Sequence, residues 1–196
     1  GEIAYTQTKD VYGNTDYLTF SLPISYERDA RDNKLDPTEG YYGTLSAKPS
    51  YEALNGSVFS SFEGSISGYL GLGQEDRIVL AAKLAAGTLI GGDGLASIPA
   101  TRRFYAGGGG SVRGYSYREI SPYNDDNEAL GGRSYMLTSL EARRTITDSI
   151  GIVPFLEFGT VATEIVPASS DIRLGAGIGP RYASPFGPVR TYFFLP

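Results

Sequence analysis

The chain has 196 residues with a net charge of −5, and it contains 26 glycines, 11 prolines and no cysteine, histidine or tryptophan. The acidic balance argues against a nucleic-acid-binding protein, because contacts with phosphates need a basic face. Without cysteine and histidine, thiolate catalysis, imidazole catalysis and the usual zinc sites are excluded. No apolar run approaches the roughly 18 residues of a membrane-spanning helix. A membrane β-barrel, whose strands alternate lipid-facing and lumen-facing residues, is compatible with the mean hydropathy of −0.17.

Strand-like runs recur along the whole chain and predict an all-β fold. Glycine and proline weaken helices, tyrosine and phenylalanine suit strands, and no segment shows a sustained helical period. The predicted runs, in chain order, are Glu2–Thr8, Asp16–Glu27, Tyr41–Tyr51, Ser57–Leu70, Arg77–Ile90, Ser134–Arg144, Ile150–Val161, Asp171–Tyr182 and Val189–Leu195.

Several of these runs carry their apolar residues on one face only. In the fifth run the apolar even positions are Ile78, Leu80, Ala82, Leu84 and Ala86. A soluble β-sandwich and a membrane barrel would both give this alternation. Several runs reach about 11 to 14 residues, longer than the roughly 5–6 of soluble strands and enough for the roughly 9–11 that cross a bilayer. The lengths favour an antiparallel transmembrane β-barrel, with the soluble sandwich as the alternative.

One connection is much longer than the others and covers residues 91–133 approximately. Its dense arginine, tyrosine and glycine content predicts a packed conformation rather than a disordered loop. The glycine run Gly107–Gly110 could cradle a phosphate, but no Lys-Ser/Thr pair follows it. We expect instead a backbone with positive φ that approaches the wall closely, since glycine adopts it at little cost.

Alternation in the sixth and seventh runs places Glu141 and Glu157 on the face opposite the apolar residues. If the long loop folds into the lumen, the planar guanidinium of Arg113 could bind both carboxylates. A solvated Arg113 is the alternative. A glycosidase-like acid/base pair of the two carboxylates is disfavoured, because a cationic partner would hold both ionised. The inner-face glycines Gly175, Gly177 and Gly179 would give a smooth groove for the loop or a strongly bent strand. A basic wall is predicted by the cationic residues on the same face, which are Arg77, Lys83, Arg143, Arg173 and Arg181.

The long loop contains the segments RFYAGG and SVRGY followed by ISP, which resemble the sixth loop of the outer-membrane assembly superfamily that includes BamA and TamA, with TamA the closer match. Similar segments occur in the expected order at residues 32–40, 139–141, 155–159 and 175–190, so that the resemblance covers about residues 28–196. Two positions depart from the family pattern. Glu157 stands where Asp is more frequent, and Tyr192 stands where the closing strands usually carry Asp.

The resemblance implies a partial transmembrane barrel domain over residues 1–196, with about nine strands of a barrel of roughly sixteen and one lumenal loop. The N-terminal barrel strands, any POTRA modules and the last strand are expected outside this segment. The resemblance assigns a structural and functional role to the loop motif and to its glycines, and it makes two wall carboxylates the partners of Arg113. These residues are Val112, Arg113, Gly114 and Tyr115, the glycines Gly107 and Gly108, and the partners Glu141 and Glu157.

The function implied by the resemblance is assistance in the insertion and folding of outer-membrane proteins or autotransporters, without enzymatic activity, cofactor or metal. Expected partners are the lipid bilayer and client β-barrel proteins, with a TamB-like periplasmic protein as a candidate. The expected location is the outer membrane of a Gram-negative bacterium or a related organelle. A two-partner-secretion transporter and a passive porin-like barrel remain as alternatives.

Overall fold

The computed structural model describes residues 1–73, 77–167, 171–184 and 187–195. They form one antiparallel sheet of eleven strands and a short 3₁₀ helix at Leu95–Ser97. The strands are β1 (Glu2–Asp10), β2 (Gly13–Ser21), β3 (Ile24–Asp29), β4 (Gly40–Glu52), β5 (Ser57–Leu72), β6 (Ile78–Gly91), β7 (Ser134–Thr145), β8 (Ile150–Ala162), β9 (Arg173–Ser184), β10 (Gly187–Arg190) and β11 (Phe193–Leu195). Across these ranges, no helix has the length and apolar character needed to span a membrane.

The eleven strands occupy nine positions in the sheet, as the sequence predicted, because two of the predicted runs are each interrupted once. β2 and β3 both pair with β4 in one unbroken register, in which Ser21 faces Ser50 and Ile24 faces Ala47. The gap between them contains Pro23 and lies opposite Pro49, and a proline has no N–H to donate to a neighbouring strand. β10 and β11 likewise both pair with β9, and their gap lies opposite Pro180.

The outer face of the sheet is apolar and exposed, and the inner face is covered. On β6, Leu80 and Leu84 are 43% and 47% exposed, whereas Val79 and Leu89 on the other face are buried. The buried face of β2 and β4 is largely polar, with Thr19, Ser21, Ser50 and Glu52 almost inaccessible. A soluble sandwich would bury its apolar face, so this arrangement excludes the sandwich and is typical of a barrel wall that faces lipid.

The inner face is covered by the loop between β6 and β7, residues 92–133. Ile98 of the loop packs against Phe59 and Leu89 of the wall. Further along, Val112 packs in a second apolar cluster that includes Val161 of β8. The loop is also held by its own backbone, since isolated antiparallel bridges join Phe104 to Gly132, Ala106 to Ile120 and Tyr123 to Ala129. The loop therefore has a packed structure with defined contacts to the wall.

Candidate functional site

Arg113 lies at the centre of the contact between the loop and the wall. Its Nε and Nη2 both donate to Oε1 of Glu157, at 2.9 Å and 2.6 Å, and Nη2 also donates to Oε1 of Glu141 at 3.0 Å. The backbone N–H of Arg113 donates to the other oxygen of Glu157 at 2.7 Å. The side chains of Arg113 and Glu157 are 8% and 5% exposed. The structure thus brings together three residues that lie far apart in sequence. We call this group the arginine clamp.

The sheet itself positions the two carboxylates of the clamp. Glu141 on β7 and Glu157 on β8 both point inward, and Ser139, which faces Glu157 across the two strands, donates its hydroxyl to Glu157 Oε1 at 3.1 Å. Glu141 also accepts from Arg143 Nε at 3.1 Å and from Arg190 Nη1 at 3.5 Å. Both carboxylates are bound by arginines, whereas a glycosidase needs one carboxyl free to act as general acid towards its substrate. The arrangement is suited to holding elements together and not to proton transfer.

Two aromatic rings complete the surroundings of Arg113. The guanidinium carbon lies 3.6 Å from the ring centre of Phe155 on β8 and 4.3 Å from that of Tyr192, in the gap between β10 and β11. The two rings meet edge to face with centres 5.3 Å apart. Sequence reasoning did not select either ring as a site residue. For Phe155 a signal was available, since it lies two residues before Glu157 and therefore on the same face of β8.

The other residues of the VRGY motif place the loop against the wall. Val112 is fully buried, and Gly114 has a φ of 101°, in the region that favours glycine. The hydroxyl of Tyr115 donates to the carbonyl of Leu174 on β9 at 3.1 Å. The motif therefore contacts β9 as well as the strands that carry the two carboxylates.

The inner glycines of β9 have two different neighbours, one in the loop and one in the adjacent strand. The groove for the loop, which the sequence predicted, therefore applies to one of them only. A Cβ on Gly175 would collide with the carbonyl of Arg113, which means that this glycine gives the loop its place against the wall. A Cβ on Gly177 would instead meet the carbonyl of Phe193 in β11, and a Cβ on Gly179 would meet the carbonyl of Thr191 in the gap between β10 and β11. Those two glycines allow β9 and the strand beside it to approach closely.

The expectation for the glycine run is correct for only half of it. Gly107 and Gly108 have φ values of 102° and 91°, whereas Gly109 and Gly110 are not in that region and have open space where a Cβ would lie. The close neighbour of Gly107 is the carbonyl of Ser116 in the same loop, not the wall as expected. Gly107 and Gly108 therefore shape a turn inside the loop, and Val112 and Arg113 make the approach to the wall.

A second group of arginines fixes the beginning of the loop, and sequence reasoning did not select it. The fully buried side chain of Arg103 lies 2.8 Å from the carboxylate of Asp10 on β1. Its other donors reach the loop carbonyls of Leu95, Ile98 and Leu130 at 2.9–3.1 Å. The neighbouring Arg102 pairs with Glu2 of β1 at 2.6 Å. The expected basic wall is thus wrong in part, because the loop contributes arginines and the wall contributes their carboxylates.

The short turn at residues 30–39, at the opposite end of the strands from the long loop, also bends towards the inner face. Arg181 on β9 pairs with Asp36, and Arg143 Nη1 donates to the carbonyl of Pro37 at 3.4 Å. Asp32 accepts from the N–H groups of Thr38 and Glu39. Loss of hydration raises the pKa of Asp32, but these hydrogen bonds outweigh that effect and lower its pKa to about 2. Since Arg143 contacts both Pro37 and Glu141, it links this turn to the arginine clamp.

Comparison with known proteins agrees with this architecture. A family model described as an Omp85 superfamily domain matches residues 2–196. The chain is 26% identical over 194 residues to the outer membrane protein assembly factor BamA of Nitratidesulfovibrio vulgaris, covering 88% of this chain and 22% of that protein. It is 30% identical over 129 residues to a SAM50-like protein of Schizosaccharomyces pombe, covering 64% of this chain and 26% of that protein.

The fold is shared with a solved structure. The crystal structure of BamA from Haemophilus ducreyi lacking POTRA domains 1–3 superposes with a TM-score of 0.76 at 21% identity, covering 94% of this chain and 40% of the other. At this identity the likeness shows a common fold. The chain spans about a quarter or less of the curated relatives named above, with which it shares only the matched segment.

Proposed function

Because the chain belongs to the Omp85 superfamily, we propose that it forms part of the outer-membrane β-barrel of an assembly factor that helps other outer-membrane proteins to insert and fold. The observation that carries the proposal is the arginine clamp beneath a sheet whose outer face is apolar. The similarity to a protein named as an outer-membrane assembly factor supports the same function and the same membrane in a Gram-negative bacterium.

The covered inner face favours an assembly factor over a passive porin. A porin needs a wet channel along the polar face of its strands, whereas here the loop packs on that face through two apolar clusters and two groups of arginines. The loop holds the wall in shape through this packing and these ion pairs. We propose that the clamp keeps the barrel in the geometry needed for assembly.

The proposed route uses the edges of the sheet. In the described residues, β1 pairs only with β2, and β10 and β11 pair only with β9, so each outer strand has one unpaired edge. Unpaired backbone groups are costly in lipid, which supports a larger barrel completed by further strands of the whole protein. A weak seam in that barrel could accept a client strand by edge pairing while the adjacent bilayer is thinned.

Within the superfamily, we propose a TamA-like member with autotransporters among its clients and a TamB-like periplasmic partner. The support is the sequence of the loop, with RFYAGG at residues 103–108 and SVRGY at residues 111–115, and the segment SPFGP at residues 184–188 before the last strand. Residues 185 and 186 of that last segment lie outside the described residues. The N-terminal region of the whole protein distinguishes the function classes, since three POTRA modules would favour an assembly factor, two a secretion transporter and none a porin-like barrel.

The test is reconstitution of the full-length protein into liposomes of outer-membrane lipids, followed by addition of an unfolded client barrel or autotransporter. We expect the protein to accelerate client folding, measured as the heat-modifiable fraction on electrophoresis. Arg113→Ala, Glu141→Gln and Glu157→Gln should lower that rate, and Arg173→Ala, a matched change at an exposed arginine of β9, should not. Ion conductance without client folding, or equal rates for all variants, would contradict the proposal.

A further inference from the structure

Tyr192 connects the outermost strand of the sheet to the arginine clamp. It lies in the two-residue gap between β10 and β11, and its ring covers the guanidinium of Arg113 at 4.3 Å. Two residues earlier on the same strand, Arg190 reaches Glu141 at 3.5 Å. The strand therefore contacts two of the three charges of the clamp, Arg113 through a ring and Glu141 through a guanidinium.

The backbone explains why Tyr192 can turn inward at this point. The gap lies opposite Pro180, whose missing N–H removes one hydrogen bond between the strands. Gly179, which faces Tyr192 in the register, leaves space that the ring fills, because a Cβ there would lie 2.7 Å from Tyr192 Cδ1. The ring then rests edge to face against Phe155. The proline and the glycine thus create a place for one aromatic residue beside Arg113.

We propose that Tyr192 is a positioning residue for Arg113 and that it ties the edge strand β10–β11 to the lumenal loop. The face of the ring attracts the guanidinium and limits its movement to the plane in which it reaches Glu157 and Glu141. Coupling free energies are reciprocal. If the edge strand stabilises the docked loop, the docked loop must therefore stabilise the edge strand by the same free energy. Displacement of the edge strand would thereby loosen the clamp, which refines and rests on the proposed assembly function.

The experiment compares Tyr192→Phe with Tyr192→Leu in the full-length protein, using hydrogen exchange of the loop segment 111–115. Tyr192→Phe keeps the ring and should exchange at the wild-type rate. Tyr192→Leu keeps apolar bulk without a ring, and exchange of the segment should rise about tenfold, the size expected for a cation–π contact shielded from water. Tyr182→Leu, the same change at an exposed position of β9, is the matched control and should leave the segment unchanged.

A second variant tests whether the effect of the ring depends on its negative face or only on its shape. Replacing Tyr192 by phenylalanine and then by 3,4,5-trifluorophenylalanine keeps the packing while weakening the negative face of the ring, so exchange at 111–115 should increase with fluorination. The linked measurement is exchange of β10 and β11 in Arg113→Lys, which should rise as well, because lysine has no planar group to stack.

The exchange measurements test the inference whether or not the protein assembles clients. Wild-type exchange in Tyr192→Leu, equal exchange in the phenylalanine and leucine variants, or no response to fluorination would overturn the positioning role. A uniform rise over the whole barrel would overturn it too, since it would indicate general destabilisation. Unchanged β10–β11 exchange in Arg113→Lys would overturn the link to the edge strand.

Discussion

The loop is attached to the wall by arginines in two places, and the two attachments differ in what the arginine binds. Arg103, near the start of the loop, donates to three carbonyls of the loop itself and pairs with one carboxylate of β1. In the described part of the chain, the side chain of Arg113, near the tip, donates to wall carboxylates on β7 and β8. The first arginine organises the loop, and the second joins the loop to the wall.

The difference implies that Arg103 mainly stabilises the folded conformation of the loop, whereas Arg113 mainly stabilises the contact of the loop with the wall. Removing Arg103 would leave three loop carbonyls without their donor and Asp10 of β1 without its cation, a loss confined to the start of the loop and one strand. Removing Arg113 would leave two buried carboxylates of the wall without their shared cation, which affects two strands and the loop together. Client assembly is therefore expected to depend on the second attachment more than on the first.

The largest effect is expected for Arg113→Ala. Loss of one partner from a buried ion pair costs about 3–5 kcal/mol, and here the buried Glu157 loses its arginine while Glu141 keeps Arg143 and Arg190. Unfolding of the full-length protein by urea in detergent micelles should show a decrease of that size. Arg173→Ala, at an exposed position, should change the free energy of unfolding by less than about 0.5 kcal/mol. Equal values for the two variants would show that the clamp does not stabilise the barrel.

A smaller and more local effect is expected for Arg103→Ala. Its hydrogen bonds are to neutral loop carbonyls, and its ion pair with Asp10 adds no hydrogen bond, so the loss should be about 2–3 kcal/mol. Hydrogen exchange should increase at residues 95–103 and at 130–132, and the region around Arg113 should keep its protection. If exchange increased equally at both attachments, the loop would be one cooperative unit and the separation of roles would be wrong.

How far the sequence predicts this structure depends on the range of the contacts. The two faces of each strand follow from alternation along a single run, so the outer face and the inward direction of Glu141 and Glu157 could be inferred. The Arg103 attachment could not, because its main partners are backbone carbonyls, which leave no sequence pattern, and Asp10 is 93 positions away along the chain. Tyr192 was visible only as a departure from the family pattern, and its contact with Arg113 depends on a strand interruption that the predicted run Val189–Leu195 did not contain.

The smallest effect is expected for Gly175→Ala, which tests how closely the loop backbone approaches the wall at Arg113 without changing any charge. Gly175→Ala would place a methyl group against the carbonyl of Arg113 while leaving all three charges of the clamp in place. Overpacking of this kind costs about 1–3 kcal/mol, and we expect a decrease within that range, because the atom that must move is a backbone carbonyl and not the end of a flexible side chain. Gly68→Ala on β5 is the matched control, because nothing lies within 4 Å of the added Cβ there. Urea unfolding of both variants provides the measurement.

A loss of unfolding free energy in Gly175→Ala as large as in Arg113→Ala would mean that the approach of the backbones, rather than the ion pairs, fixes the loop to the wall. No difference from Gly68→Ala would mean that the loop tip adapts freely and is held by its charges alone.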